Sequence, residues 1–131
     1  QTVALYSDVK VVEQIGYELV QLIESGAMYS EKMTQLLKSY LEPMVAQDID
    51  YLVLGCTHYP YLIPQIKKML PDHIQIIDSG QAVARQTQKI LQEKVGVSYI
   101  KNPKPVFYSN TDTSVLNAIL ENKYTSEQIN F

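Results

Sequence analysis

Four apolar residues, Tyr51–Leu54, run without interruption and stop at Gly55; Cys56, Thr57 and His58 follow at once. A short, continuous apolar run suits a strand buried on both faces of a parallel sheet flanked by helices. The chain repeats this pattern. Residues 74–77 (IQII) form a second apolar run closed by Asp78, Ser79 and Gly80, Val106–Ser109 forms a third, and the valine-rich residues 9–13 (VKVVE) read as another strand. Residues 1–8 are a lead-in whose TVALY reads as a helix remnant, and residues 128–131 as an edge strand.

Between the runs the apolar spacing is helical. Residues 18–25 (ELVQLIES) carry apolar side chains at 19, 20, 22 and 23, and Gly26 is the kind of residue that stands just past a helix end. Ser30 is placed to cap a longer helix in which Met33, Leu36, Leu37, Tyr40, Leu41, Met44 and Val45 recur at three and four residues; it should end by Asp48 and kink or loosen near Pro43, across residues 39–43. Residues 62–70 form the next predicted helix, with Pro60 and Pro64 in or just before its first turn, where a missing N–H costs least. A long helix over residues 81–95 puts Val83, Ala84, Thr87, Ile90 and Leu91 on one face, residues 96–105 form a connector, and residues 114–124 the last helix, after a turn at 110–113. Strands alternating with helices predict an α/β fold, a parallel-sheet three-layer domain with flanking helices. In such sheets ligands bind beyond the carboxyl ends of the strands, which is where Cys56 falls.

Composition narrows the function classes. With 131 residues, 46% hydrophobic and 19% charged, the chain has the make-up of a globular domain. A net charge of −3 supplies no basic footprint for nucleic acid. No apolar run approaches the roughly 20 residues a membrane span needs, and the expected location is cytoplasmic, with no membrane partner. The chain begins with Gln1 close to a strand, so it is expected to be part of something longer. The single cysteine makes no internal disulfide and no metal cluster by itself, and neither histidine has a second ligand at workable spacing, so no metal site is expected. His73, between Pro71-Asp72 and a strand, reads as a solvated turn residue.

A thiol acts as base or nucleophile only as thiolate, which a helix N-terminus or a positive neighbour favours. Cys56 has a predicted helix just after it and His58 two residues away, but a free cysteine is also among the most buried residue types, so reactive and structural readings compete on physics alone. Thr57 offers a hydroxyl and an N–H suited to a carboxylate. Tyr59 and Tyr61 flank the turn as wall or core, and Asp78 reads as a ligand contact or, more ordinarily, a turn former. Glu24, in the last turn of its helix, opposes the helix dipole, a small penalty that hints at a role.

The stretch LGCTHYP, followed by a helix and then by IDSGQA at residues 77–82, closely resembles the second cysteine motif of bacterial glutamate racemases. LVQLIESG at residues 19–26 is similar to the family's segment ending in a glutamate and often a glycine, and VFYSNTD at residues 106–112 to its late strand and acidic turn. Gln14, Ile15 and Gly16 depart from the pattern, standing where the family often has a cysteine and a proline.

The resemblance implies inversion at the α-carbon of glutamate without a cofactor, feeding D-glutamate into peptidoglycan. Two thiols on opposite faces of the carbon share the work, one removing the proton and the other returning one. By this analogy Cys56 is base for one enantiomer and acid for the other, His58 assists the thiol through its change of protonation, Thr57 binds substrate, and Glu24 matches a supporting glutamate. The first half of the family, with its own cysteine, has no counterpart here. The resemblance therefore implies a C-terminal half, with residues 1–95 as most of the second domain and residues 96–131 as a tail that returns to a missing first domain. By itself such a chain is expected to be inactive; its partners are glutamate and that N-terminal domain of the same protein, and a homodimer remains open. Aspartate as substrate and a non-catalytic α/β binding module are the alternatives.

Overall fold

The computed structural model describes residues 8–96 and 104–131, and the chain divides into two compact units. The first is built on residues up to Ile23 and on Ala27–Asp78; the second on Glu24–Gly26 and Ser79–Phe131. The lead-in through residue 7 and most of the predicted connector at 97–103 lie outside the described residues.

In the first unit, α1 (Leu19–Glu24) ends two residues before Gly26, whose φ of +75° is the left-handed conformation that glycine adopts most readily. Ser30 caps α2 (Glu31–Val45) as expected, its Oγ accepting the Met33 amide at 3.1 Å. The helix does not loosen at residues 39–43. It passes Pro43 and ends at Val45, so the missing N–H falls in the last turn, where only one or two further bonds depend on it.

Strands β1 (Tyr51–Leu54) and β2 (Gln75–Asp78) pair in parallel, Leu52 opposite Ile76 and Leu54 opposite Asp78. The connection is shorter in helix than residues 62–70 suggest: a 3-10 turn at Tyr59–Leu62 runs into α3 (Ile63–Ile66), and the chain then turns. Each of the two turns carries its proline, Pro60 or Pro64, at its start, and past Ile66 the Lys68 and Met69 amides bond three residues back, to the Gln65 and Ile66 carbonyls, so the segment ends in turns rather than in continued α-helix.

The core of this unit gathers one stripe from each helix against one face of the strands. Leu19 and Ile23 of α1, Met33, Leu37 and Leu41 of α2, Leu52 and Leu54 of β1, then Leu62, Ile66, Leu70 and Ile74 form a single buried cluster. Met33 and Leu62 are wholly enclosed, each stabilising the fold by about 2–3 kcal/mol through burial. Strand β1 is not buried on both faces: Tyr51 and Val53 are 54% and 67% exposed, so its apolar run is half core and half bare face. The valine-rich residues 9–13 form no strand. They line a cavity of about 900 Å³ together with β1 and join no ladder, so valine-rich composition there is not matched by pairing.

In the second unit, α4 (Gly80–Ile90) continues through a wider π turn at Leu91–Val95 and stops at Gly96, φ +66°. The expected apolar stripe is present in sequence, but every residue of α4 is exposed. Strands β3 (Val106–Ser109) and β4 (Thr125–Gln128) pair in parallel around α5 (Ser114–Ile119), with the Phe107 and Tyr124 rings 5.4 Å apart. Helix α5 is shorter than predicted because Glu121 and Asn122 both take positive φ. The last strand accordingly begins at Thr125, three residues before the expected position, and Ile129 closes it by bonding to the Ser109 carbonyl at 2.9 Å. The α/β class and parallel pairing are those expected, arranged among the described residues as two separate two-stranded sheets.

Candidate active site

Parallel pairing sends both strand ends of the first unit to the same edge. Leu54 and Asp78 stand opposite each other in register, so the turn carrying Cys56, Thr57 and His58 leaves the sheet beside the carboxyl end of β2. Gly55 is exposed with open space around it, and the turn thus swings clear of the core directly after the buried Leu54.

Within the turn, His58 Nδ1 lies 3.9 Å from Cys56 Sγ and 3.4 Å from Thr57 Oγ1. The two neighbours suit either imidazole tautomer: with Nδ1 unprotonated, thiol or hydroxyl donates to it, and with Nδ1 protonated, sulfur or oxygen accepts. A proton can therefore be exchanged between thiol and ring without a change of backbone. Cys56 and His58 are half-buried and Thr57 is exposed, which leaves the thiol reachable while one side rests on protein. The helical stretch after Cys56 is a 3-10 turn and one turn of α-helix, so its dipole is much smaller than that of the nine-residue helix expected there.

Tyr59, next in sequence, fastens the turn. Its amide donates to the Cys56 carbonyl at 3.3 Å, and its hydroxyl donates to the Gly16 carbonyl at 3.2 Å, across 43 residues. Burial pushes the Tyr59 hydroxyl above the usual tyrosine range, with the charges of Cys56 and Tyr40 acting in the same direction, so the phenol keeps its proton and stays a donor. Gly16 makes room for that bond: a Cβ there would stand 2.6 Å from the Tyr59 hydroxyl and 2.6 Å from Leu19 Cδ1. Tyr40 repeats the device one residue on, its hydroxyl donating to the Tyr17 carbonyl at 3.2 Å.

The fold thus brings together Cys56, Thr57 and His58. Glu24 is the exposed last residue of α1 and belongs to the second compact unit. Tyr61 is exposed, Asp78 is half-buried at the end of β2, and His73 is an exposed turn residue as predicted. Sequence reasoning missed the tie between Tyr59 and Gly16. The only sequence signal for it is the glycine itself, standing in an otherwise bulky stretch where no turn type demands one. Among the described residues no group of three or more His, Cys, Asp or Glu side chains is arranged to hold a metal, and no helix is long and apolar enough to cross a membrane.

Residues 5–87 match the family model for Asp/Glu/Hydantoin racemases. Glutamate racemase of Pseudomonas entomophila is 42% identical over 114 residues, which cover 87% of this chain and 43% of that protein. The Pseudomonas syringae pv. tomato enzyme is 51% identical over 85 residues, 65% of this chain and 31% of the relative. Among solved structures, a glutamate racemase isoform from Bacillus anthracis superposes with a TM-score of 0.79 at 31% identity, covering 98% of this chain and 50% of that one. The Francisella tularensis glutamate racemase, solved in complex with D-glutamate, shares the fold at a TM-score of 0.78 and 24% identity, over 98% of this chain and 49% of its own. The chain thus spans less than half the length of the curated relatives it matches.

Proposed function

Because the chain belongs to the Asp/Glu/Hydantoin racemase family, we propose that it is the C-terminal, thiol-bearing part of a glutamate racemase, interconverting L- and D-glutamate without a cofactor. The observation that carries this reading is the Cys56–His58 pair, 3.9 Å apart at the carboxyl end of a parallel strand, within the segment that matches the family. Relatives named as glutamate racemases, one solved with D-glutamate, support glutamate as the substrate.

In the proposed reaction the Cys56 thiolate takes the α-proton. The Cα–H bond breaks as the S–H bond forms, and the electron pair left on carbon is delocalised into the α-carboxylate. A second acid on the opposite face, supplied by an N-terminal domain of the same protein, returns a different proton and so inverts the centre. For the other enantiomer the two groups exchange roles. His58 takes or gives the proton that resets the thiol, Thr57 holds the substrate carboxylate through its hydroxyl and amide, and Glu24 supports the resetting step. Residues 1–95 belong to the second domain of the intact enzyme and residues 96–131 are a tail returning to the first. The product, D-glutamate, goes to peptidoglycan synthesis in the cytoplasm.

The test is α-proton exchange in heavy water, with L- and D-glutamate given separately to the protein carrying this chain and its upstream half. Inversion with solvent deuterium at Cα is expected from both enantiomers. Cys56→Ala should abolish inversion, a loss of at least about 10³-fold when the group that moves the proton is removed. Unchanged turnover of both enantiomers by that variant would overturn the assignment. Aspartate, which the family description also covers, is the competing substrate and is run in parallel.

A further inference from the structure

We propose that Tyr59 is a positioning residue for the Cys56–His58 pair, its hydroxyl strapping the thiol turn to the backbone of Gly16, and that residue 16 is glycine in order to admit the strap. The proposal deepens the racemase reading and rests on it for the catalytic consequence, but not for the strap itself.

Tyr59 is held at both ends. Its amide is bonded to the Cys56 carbonyl and its hydroxyl to the Gly16 carbonyl, so the backbone that presents the thiol is tied to the segment entering α1. His58 lies within the turn that the first of these bonds closes, its ring 3.9 Å from the sulfur. Without the hydroxyl bond, the exposed Gly55, where even an added Cβ would meet nothing within 4 Å, lets residues 56–58 rotate, and the ring-to-sulfur contact is the first geometry to change. Glycine at 16 completes the device, because a methyl group there would stand 2.6 Å from the Tyr59 hydroxyl and 2.6 Å from Leu19 Cδ1, and would press the ring away from the carbonyl. Burial raises the phenol's pKa and so weakens it as an acid, and the donor is kept through the neutral range.

The experiment uses the intact protein, with Tyr59→Phe, Gly16→Ala, the double variant, and Tyr40→Phe as a control that loses a bond of the same kind to the Tyr17 carbonyl. The first readout is the rate at which iodoacetamide alkylates Cys56, resolved by peptide mass spectrometry. The second is kcat against KM for L- and D-glutamate. Loss of one neutral hydrogen bond that orients the pair should slow Cys56 alkylation and lower kcat by about two- to tenfold, with KM within about twofold. Tyr40→Phe should lower the melting temperature comparably and leave the alkylation rate of Cys56 at the wild-type value. Gly16→Ala should slow Cys56 alkylation as Tyr59→Phe does, and should slow it less in the Tyr59→Phe background, where the hydroxyl collision is gone and only the one with Leu19 remains. Wild-type alkylation rates in Tyr59→Phe, an equal fall in Tyr40→Phe, or full additivity of the double variant would each overturn the strap. A wild-type protein that inverts no glutamate, yet whose Cys56 slows in Tyr59→Phe, would uphold the strap and remove the substrate assignment.

Discussion

Leu62→Ala probes the floor on which the thiol turn rests. Leu62 is wholly enclosed and ends the 3-10 turn that Tyr59 begins, so one side chain links the turn to the cluster formed by α1, α2 and β1. Replacing leucine by alanine removes three carbons. At about 0.8 kcal/mol for each buried methylene the transfer loss is about 2.4 kcal/mol, and an unfilled cavity raises it to about 3 kcal/mol. The buried cluster it joins draws on α1, α2 and β1, and close packing within it limits the collapse that would recover part of the loss. The assay is native-state hydrogen exchange of the β1–β2 ladder amides in the intact protein, followed by mass spectrometry. Since about 1.4 kcal/mol corresponds to a factor of ten in an opening equilibrium, these amides should exchange about a hundredfold faster. Leu62→Met, which conserves volume, should cost less than about 1.5 kcal/mol. Exchange within about threefold of wild type in Leu62→Ala would refute the reasoning, since it would mean that the residue beneath the turn carries no share of the core.

Two further outcomes follow from the caps and charges. Ser30→Ala removes the acceptor of the Met33 amide and should destabilise α2 by about 1 kcal/mol, seen as faster exchange at Met33 and Thr34, whereas Ser30→Asp should keep most of the stability. Asp112 accepts the Ser114 amide at 2.9 Å at the start of α5, and that bonding, to the side chain and backbone of Ser114, lowers its pKa below the ordinary aspartate value of 3.8. A depressed carboxyl pKa stabilises the fold fully above the unfolded value, and the contribution is lost as pH falls through the lower folded value. The first turn of α5 should therefore hold at neutral pH and fray only under acid conditions, and Asp112→Asn should flatten the response of the Ser114 amide resonance to pH; a resonance that titrates above the ordinary aspartate range would contradict this.

The parts of the fold legible in sequence are those set by neighbours in the chain. Ser30 caps α2 because a serine oxygen reaches an amide three residues on, Gly26 and Gly96 end helical segments because glycine takes positive φ cheaply, and the runs at Tyr51–Leu54 and Val106–Ser109 are strands. What escaped depends on partners far away or on local strain. Residues 9–13 have the composition of a strand and join no ladder, since composition cannot report which segments come within pairing distance. Strand β1 looks buried on both sides because all four of its residues are apolar, yet only Leu52 and Leu54 find a core. Helix α5 stops early at two residues, Glu121 and Asn122, whose left-handed backbone no periodicity announces.

The same division runs through the site. Cys56, Thr57 and His58 are adjacent in sequence, so their meeting needs nothing more than a turn, and the spelling of that turn carries the family resemblance. What gives the turn one shape is not adjacent. Tyr59 reaches Gly16 across 43 residues, and the reach has room because residue 16 has no side chain. A motif can thus state which groups do the chemistry while leaving unsaid what aims them. If a base is to take a proton from one face of a carbon and later return one to it, an error of about 1 Å can cost on the order of a hundredfold in rate. The residue that fixes the aim therefore bears on turnover beside the thiol, by about tenfold at most where the thiol itself carries about a thousandfold, and the glycine at 16 is what points to it.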